Sequence, residues 1–371
     1  TAYTFGVKPE WLNLYAWGIN EGYGGGQLGQ GNQTQYSSPV QIPGDNWGSF
    51  AYRGGEAYTR SSGNVKTDGT LWTWGRGDYG GLGDNAASER ESPVQVPGTT
   101  WSAVTATHYG MISTKTDGTL WTWGEGGTGK LAQNNETHYS SPVQIPGTDW
   151  NSSAGYFSRG RWACSAIKTD GTLWMWGRNN YGQLGQNGPH NTDYSSPVQV
   201  PGTTWDSISN LEYHTIATKT DGTLWAWGPN SPGMLGQNNR TDYSSPVQIP
   251  GTTWSKASSG YYSVAALKTD GTAWVWGHNH AGQLGLNAPD NSLKSSPTQL
   301  GSETTWSTFS GGYGNIGGAK TDGTLWIWGW NENGQLGQNN TTDYSSPVQI
   351  PGTDWTGVRL GYWYGIGRKA R

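Results

Sequence analysis

The residues that could do chemistry are few, and most of the acidic ones belong to a repeated box. Lys-Thr-Asp-Gly-Thr occurs six times. Such aspartates could ligate a metal ion or form the Asp boxes of sialidase propellers. Each one instead precedes a glycine between apolar runs, where Asp-Gly favours a tight hairpin because both residues tolerate positive φ. We therefore interpret the boxes as turns. They begin at Lys66, Lys115, Lys168, Lys219, Lys268 and Lys320.

Other side chains with metal-binding potential are scattered along the chain. His278 and His280 stand two residues apart in a loop, which is weak spacing for a metal site. Three Thr-Asp-Tyr-Ser-Ser-Pro loops, at Asp193, Asp242 and Asp343, offer oxygen ligands for calcium, but their repetition favours a structural capping role. No glycine-rich loop leads into a helix, so nothing predicts a nucleotide site. We expect neither a cofactor nor an enzyme active site.

The composition excludes several classes of function. Charged residues make up 13% of the 371 residues and the formal net charge is −4, so a basic nucleic-acid footprint is not expected. No apolar run reaches the roughly 20 residues that span a bilayer, so membrane insertion is not expected. The single cysteine, Cys164, cannot form an internal disulfide and is expected to be a small buried hydrophobe.

The elements that must position these residues come from an internal repeat. Trp-Gly preceded by an aromatic residue and one further residue recurs seven times at spacings of 49 to 57 residues, and a second tryptophan follows a Pro-Gly turn in most copies. The first set is Trp17, Trp74, Trp123, Trp176, Trp227, Trp276 and Trp328, and the second is Trp47, Trp101, Trp150, Trp205, Trp254, Trp306 and Trp355. Seven copies of one pattern predict a repeat architecture.

Each copy is interpreted as four short strands. In one copy they are WSKAS from Trp254, SVAALK from Ser263, AWVWG from Ala273 and SPTQL from Ser296. Such a unit has an apolar face that it cannot bury alone, so neighbouring units must stack. Four strands repeated seven times predict an all-β, seven-bladed β-propeller.

The two ends of the chain predict how the ring closes. Residues 12–18 resemble a third strand, whereas the last copy stops after its second strand, within residues 361–371. The N- and C-terminal strands should therefore pair in one blade and leave no open sheet edge. We expect one domain over residues 1–371, with residues 1–8 as an N-terminal arm or an added edge strand.

The boxes resemble the regulator of chromosome condensation repeat family. The matching residues are KTDGTLWTWG and the NxxGQLG that follows, as at Asn179–Gly185 and Asn331–Gly337. The bacterial and phage-type members look most similar, including the propeller-type β-lactamase inhibitor proteins. The founding member exchanges nucleotide on a small GTPase and binds chromatin. The resemblance implies a binding scaffold and leaves the partner open.

Departures from the repeat are the candidates for function. The second tryptophan lies 14 residues before the lysine in five copies, but 19 before it at Trp47 and 18 before it at Trp150. We place the extra residues between strands one and two, on the face that carries the long loops. Arginine and aromatic residues dominate binding hot spots, so we predict a partner-binding site on this face. Its candidate residues are Arg53, Tyr58, Arg60, Phe157, Arg159, Arg161, Trp162, Trp330 and Trp363.

Three functions fit this pattern. The leading hypothesis is a noncatalytic binding or structural module displayed outside a cell or on a virion surface, for adhesion or recognition. Its partner would be another virion or cell-surface protein, or a surface glycan. A protein that inhibits an enzyme through one propeller face is the second hypothesis, and a glycan-binding propeller is the third.

Overall fold

Seven antiparallel sheets are present in the part of the chain that the computed structural model describes, which is residues 12–21, 25–48, 60–107, 109–188, 192–231, 233–287 and 293–370. Six sheets have four strands, and β3–β5 form a sheet of three; residues 49–59 before β3 lie outside the described ranges. In chain order the strands are β1 (Leu12–Gly18), β2 (Tyr36–Gln41), β3 (Ser61–Val65), β4 (Leu71–Gly75), β5 (Arg90–Val96), β6 (Trp101–Thr107), β7 (Gly110–Lys115), β8 (Leu120–Gly124), β9 (Tyr139–Ile145), β10 (Phe157–Arg159), β11 (Ala163–Ile167), β12 (Leu173–Gly177), β13 (Tyr194–Gln199), β14 (Trp205–Asn210), β15 (Thr215–Lys219), β16 (Leu224–Gly228), β17 (Tyr243–Ile249), β18 (Trp254–Ser259), β19 (Ser263–Lys268), β20 (Ala273–Gly277), β21 (Lys294–Gln299), β22 (Trp306–Gly311), β23 (Asn315–Lys320), β24 (Leu325–Gly329), β25 (Tyr344–Ile350), β26 (Trp355–Leu360) and β27 (Tyr364–Ala370).

These sheets are the blades of a propeller, which confirms the predicted fold class. Each blade runs from a buried strand one to a half-exposed strand four, as in β14-β15-β16-β17. The first strands of neighbouring blades contact one another, so strand one is innermost and strand four lies at the rim. Within the described residues the helices are two single 3-10 turns, Asp78–Gly80 and Gly127–Gly129. No described helix has the length and apolar character needed to cross a membrane.

The termini share one blade, as the sequence predicted. Its strand order is β2-β1-β27-β26, and β1 pairs with β27 along its whole length, from Leu12 opposite Ala370 to Gly18 opposite Tyr364. Arg359 on β26 adds a second link. Its Nη1 donates to the Gly63 carbonyl (3.1 Å) and its Nη2 to the Val104 carbonyl (2.8 Å), which joins the closing blade to two further blades. The predicted arm, residues 1–8, lies outside the described residues.

All 14 repeated tryptophans are buried, as expected, and none is more than 5% exposed. The Trp-Gly indoles also link blades. Trp227 Nε1 donates to the Gln183 carbonyl (2.9 Å) in the loop of the preceding blade, and Trp17 Nε1 donates to the Gln335 carbonyl (2.8 Å) in the same way. Six of the seven Trp-Gly indoles donate to the carbonyl of the residue before the leucine of this loop, and so link neighbouring blades.

The structure corrects the position of one insertion. Strand one of that blade is β10, and its turn into β11 has three residues, the same length as the turn between β18 and β19. Phe157 pairs with Ala166 where Ala257 pairs with Ala266 in the regular blade. The four extra residues therefore fall before β10, within 151–156, at the opposite end of the strand. The number of residues between Trp150 and Lys168 could not locate the four extra residues, because the register of a strand is set by its pairing with the next strand.

Candidate functional site

The two faces of the propeller differ in how strictly they repeat. Turns between strands one and two, and loops between strands three and four, lie on one side, which we call the loop face. The Asp-Gly turns and the connections between blades lie on the other side, which we call the box face. Antiparallel pairing forces this division, because alternate connections of a meander fall at opposite ends of its strands.

The box face uses its charges for its own structure. Lys219 Nζ lies 4.6 Å from the ring centroids of both Trp205 and Trp225, and the other boxes place their lysines over tryptophan in the same way. Asp221 Oδ1 accepts from the Thr223 amide (3.0 Å) and hydroxyl (2.7 Å). These hydrogen bonds hold the pKa of the aspartate below its ordinary value. The interpretation of the boxes as turns is confirmed.

On the loop face, each blade presents a pair of adjoining positions that the repeat does not conserve. One is the residue before strand two, and the other is the residue after Trp-Gly. In six blades the backbone N–H of the second donates to the carbonyl of the first at 2.7–2.9 Å. The pairs are Arg60 with Arg76, Tyr109 with Glu125, Trp162 with Arg178, Tyr213 with Pro229, Tyr262 with His278, Gly314 with Trp330, and Trp363 with Ile19.

Glycine is required at the end of strand three to bring these pairs together. Gly177 has φ +99°, and a Cβ placed on it would lie 2.5 Å from the Trp162 carbonyl oxygen. A side chain there would be strained and would displace that carbonyl from the Arg178 N–H, 2.9 Å away. The repeated Trp-Gly motif therefore positions a pair of variable side chains.

The most charged of these pairs forms what we call the Arg–Trp cluster: Arg161, Trp162, Arg178, Lys130 and Glu212. The guanidinium carbons of Arg161 and Arg178 each lie 4.7 Å from the Trp162 ring, and Lys130 Nζ lies 5.7 Å from it. Three cations thus surround one indole, an attraction worth roughly 0.5–2 kcal/mol per pair depending on solvation.

Glu212 comes from the next blade and holds the cluster together. Its carboxylate is buried and accepts from Arg161 Nη1 (3.0 Å) and Trp162 Nε1 (3.3 Å). Burial raises the pKa of this carboxyl, and the Arg161 charge partly opposes that shift. Burial beside Glu212 also raises the pKa of Tyr213 to about 12. Lys130 has its own partner, the carboxylate of Glu125.

Arg178 differs from the other two cations of the cluster. Its Nε and Nη2 donate to the Asn180 amide oxygen (2.9 and 2.6 Å) when that amide is oriented oxygen-inward. Within the described residues, no carboxylate lies within salt-bridge distance of it. Arg178 is half-buried on the loop face, and its guanidinium can donate hydrogen bonds to an acidic group of a partner.

The remaining predicted site residues are divided between surface and core. Arg60, Trp330 and Trp363 are half-buried on the loop face. Phe157 is not available to a partner, because it is 3% exposed and packs in the core with Trp176. Arg159 ends β10, and its side chain is outside the described set, as are the whole of Arg53 and Tyr58.

Sequence reasoning missed a row of aromatic rings that crosses three blades. The ring centroids of consecutive members lie 4.0–4.7 Å apart from Trp363 to Tyr262, and Trp330 stacks on the row 5.6 Å from Tyr313. The members, in order, are Trp363, Tyr362, Tyr313, Tyr261 and Tyr262. Aligning the copies on Trp-Gly would have found part of it, since the residue before strand two is aromatic in five of seven copies.

The possible metal ligands have other contacts. His278 Nδ1 and His280 Nδ1 lie 2.6 Å apart and share a hydrogen bond. Asp242 and Asp343 each accept a backbone N–H of their own loop at 2.7 Å, as a structural cap does. Among the described residues no three His, Cys, Asp or Glu side chains come together as a metal site would require. Cys164 is buried, as expected, with its Sγ 3.4 Å from the Lys130 carbonyl oxygen.

Comparison with known proteins identifies the repeat. The profile of the regulator of chromosome condensation (RCC1) repeat matches residues 68–110, 117–156, 170–217, 221–267, 270–315 and 322–366. The Ultraviolet-B receptor UVR8 of Arabidopsis thaliana is 29% identical over 191 residues, which are 50% of this chain and 43% of that protein. The chain thus spans less than half the length of this relative.

Solved structures agree on the fold. The structure of yeast RCC1 (Prp20) bound to Kap60 superposes with a TM-score of 0.83 at 18% identity, covering 98% of this chain and 90% of that one. Human WBSCR16 superposes with a TM-score of 0.82 at 17% identity, covering 97% of this chain and 99% of that one. At such identities the likeness extends to the fold alone.

Proposed function

Because this chain belongs to the regulator of chromosome condensation (RCC1) repeat family, we propose that it is a noncatalytic module that binds a protein partner through its loop face. The Arg–Trp cluster is the centre of the contact. Related propellers serve as binding platforms; yeast RCC1 was crystallised with Kap60 bound.

The contrast between the two faces carries this proposal. Apart from the insertion within 151–156, the box face repeats one Lys-Trp and Asp-Thr arrangement, and so offers little by which one partner could be told from another. The loop face holds the side chains that differ between copies. They are rich in Trp, Tyr and Arg, which dominate the binding energy of protein interfaces.

Preorganisation adds to the case for the Arg–Trp cluster. Trp162 is held by its contact with Glu212 and by guanidinium groups against its ring. Side chains fixed before binding lose less entropy when a partner arrives. Arg178 then supplies a cation for a carboxylate of the partner, in the bidentate geometry that guanidinium favours.

Display outside a cell or on a virion surface is the setting we propose for this binding. Low charge, a surface rich in Asn, Gln and Thr, and near-identical copies such as QNNRTDYSSPVQIPG and QNNTTDYSSPVQIPG suit a rigid exposed platform. The near-identity of the copies suggests recent duplication, as in phage or environmental bacterial adhesion proteins.

The test compares one substitution on each face. Partners are captured on the immobilised protein from an extract of its source, and the affinity of the purified partner is then measured. Arg178→Glu should weaken it at least tenfold, which is about 1.4 kcal/mol. The control is the double variant Thr203→Ala, Thr252→Ala on exposed residues of the box face, which should bind normally. The proposal fails if Arg178→Glu binds normally and the control does not.

A further inference from the structure

A second feature of the loop face lies beside the Arg–Trp cluster, where the blades of β10–β13, β14–β17 and β18–β21 meet. Two adjoining hollows of about 270 and 400 Å³ share Ser231 and Tyr262. We call them together the tyrosine groove. The lining residues on which the argument depends are Tyr181, Tyr213, Pro229, Met234, Asp242 and Arg240.

This groove exists because one copy of the repeat departs from the others at coordinated positions. In three other blades a glutamine side chain accepts the N–H of the residue two before it, as Gln183 does from Tyr181 (2.9 Å). Met234 stands in place of that glutamine and cannot accept in this way. Pro232, two residues earlier, has no N–H to donate. This copy therefore lacks both the backbone donor and the side-chain acceptor of that hydrogen bond. It also has Pro229 at the position that Arg178 and His278 occupy in other copies.

The walls of the groove are aromatic rings. Tyr181 is 46% exposed and lies edge-on to Tyr213, with ring centroids 5.5 Å apart. The Tyr213 hydroxyl lies beside the buried Glu212 carboxylate, so the ring is the part of this side chain most suited to a ligand. Met234 is buried below them at 2% exposure. Aromatic and methionine side chains around a proline favour an apolar ligand over a sugar, whose hydroxyls would need more donors and acceptors.

The charges at the edge of the groove are unequal. Asp242 already accepts the Asn230 N–H (2.7 Å). Arg240 is exposed, and in the described part of the chain no carboxylate lies within 4.0 Å of its guanidinium. The available charge is therefore a cation, which complements an acidic group.

We propose that the tyrosine groove binds an extended, proline-containing segment of a protein partner that carries an acidic side chain opposite Arg240. Proline-rich segments adopt a preformed extended helix that docks into grooves lined with aromatic residues at low entropic cost. The inference rests on the proposed function, since the groove opens on the loop face. It adds the chemistry of the bound segment.

The experiment selects peptides from a random dodecamer phage library on the full chain. Enriched peptides are labelled with fluorescein, and their affinities are measured by fluorescence polarisation. Three variants are compared with the native chain. The first replaces residues 229–234 (PNSPGM) by the sequence of residues 178–183 (RNNYGQ), which a blade of this chain already accommodates in the same loop. The others are Arg240→Glu and Arg178→Glu.

We expect enriched peptides to contain proline and an Asp or Glu, and to bind the loop replacement at least tenfold more weakly at an unchanged melting temperature. Arg240→Glu should weaken acidic peptides and favour versions with Lys in place of the acid. The inference is overturned if selection yields no peptide above the unselected library, if enriched peptides bind the loop replacement as well as the native chain, or if a glycan array finds a sugar whose binding the loop replacement removes.

The Arg178→Glu arm separates the two proposals. If the peptides bind Arg178→Glu normally and the captured partner binds it more weakly, both sites act. If the partner binds Arg178→Glu normally but no longer binds the loop replacement, the contact is not centred on the Arg–Trp cluster. That result would support the groove as the binding site.

Discussion

Arg161 Nη1 lies 3.0 Å from Glu212 Oε1 and joins the strand one–two turn of one blade to the same turn of the next. A backbone hydrogen bond joins the same two turns, since the Arg161 N–H donates to the Leu211 carbonyl at 2.8 Å. The carboxylate is fully buried, while the guanidinium is partly exposed. Arg161 therefore has a structural role in addition to any contact with a partner.

Removing Arg161 should destabilise the protein at neutral pH. Arg161→Ala leaves Glu212 buried without its cation, and we expect a loss of about 1–3 kcal/mol, between the values for exposed and fully buried pairs. Glu212→Gln should cost less, because it removes the buried charge. Urea unfolding of both variants and of the double variant measures the coupling. A loss below about 0.5 kcal/mol for Arg161→Ala would contradict this role.

His214 should make the protein sensitive to acid. Neither ring nitrogen has a hydrogen-bond partner among the described residues, and burial lowers the pKa of this histidine to about 4. The unfolded chain binds a proton near pH 6.5 and the folded chain does not, so stability falls as pH decreases from about 6.5 to 4. We expect His214 to account for a loss of about 2–3 kcal/mol between pH 7.5 and 4.5, measured by urea unfolding at both values.

The matched control for that titration is His214→Ser. Ser263 occupies the equivalent place opposite Gly277, so the fold accepts serine there. The variant should lose most of this acid sensitivity. Glu212, whose pKa is raised, changes stability in the opposite sense over the same range and is present in both proteins. Equal pH dependence of the two proteins would show that His214 does not titrate as proposed.

Trp227→Ala should cost roughly 3–5 kcal/mol, as other buried aromatics do. The indole is fully buried and donates to the Gln183 carbonyl of the preceding blade, so its loss creates a cavity and removes a link between blades. Thermal and denaturant unfolding measure the change. Tyr181→Ala, at a residue 46% exposed, is the control and should stay within about 0.5 kcal/mol. A loss below about 1 kcal/mol for Trp227→Ala would contradict the role of the repeat.

Cys164 should be unreactive in the folded protein. The thiol is fully buried and lies against the Lys130 carbonyl. Reaction with Ellman's reagent should release no thiolate product from the native chain and one equivalent in guanidinium chloride. Rapid labelling of the native chain would mean that the blade of β10–β13 opens locally.

The architecture followed from the sequence because each blade repeats the same local rules. Asp-Gly turns, the paired tryptophans and the spacing of Trp-Gly each predicted a strand or a turn, and the ends at Leu12–Gly18 and Tyr364–Ala370 predicted the closing blade. One insertion was misplaced along strand one, since a count of residues does not reveal where a strand resumes its register. Phe157 was for that reason predicted on the surface and is found in the core.

What the sequence alone determined was the repeat, its strands and the face on which variable side chains gather. These depend on contacts within one blade, between residues close in the chain. Tertiary structure decided which variable side chains meet. Glu212 reaches Arg161 across 51 positions, and the rings of Tyr261, Tyr313 and Tyr362 form one row, because the stacking of blades brings equivalent turns side by side. An alignment of the copies shows which positions are aromatic, but which of these rings touch depends on how each blade packs on its neighbour.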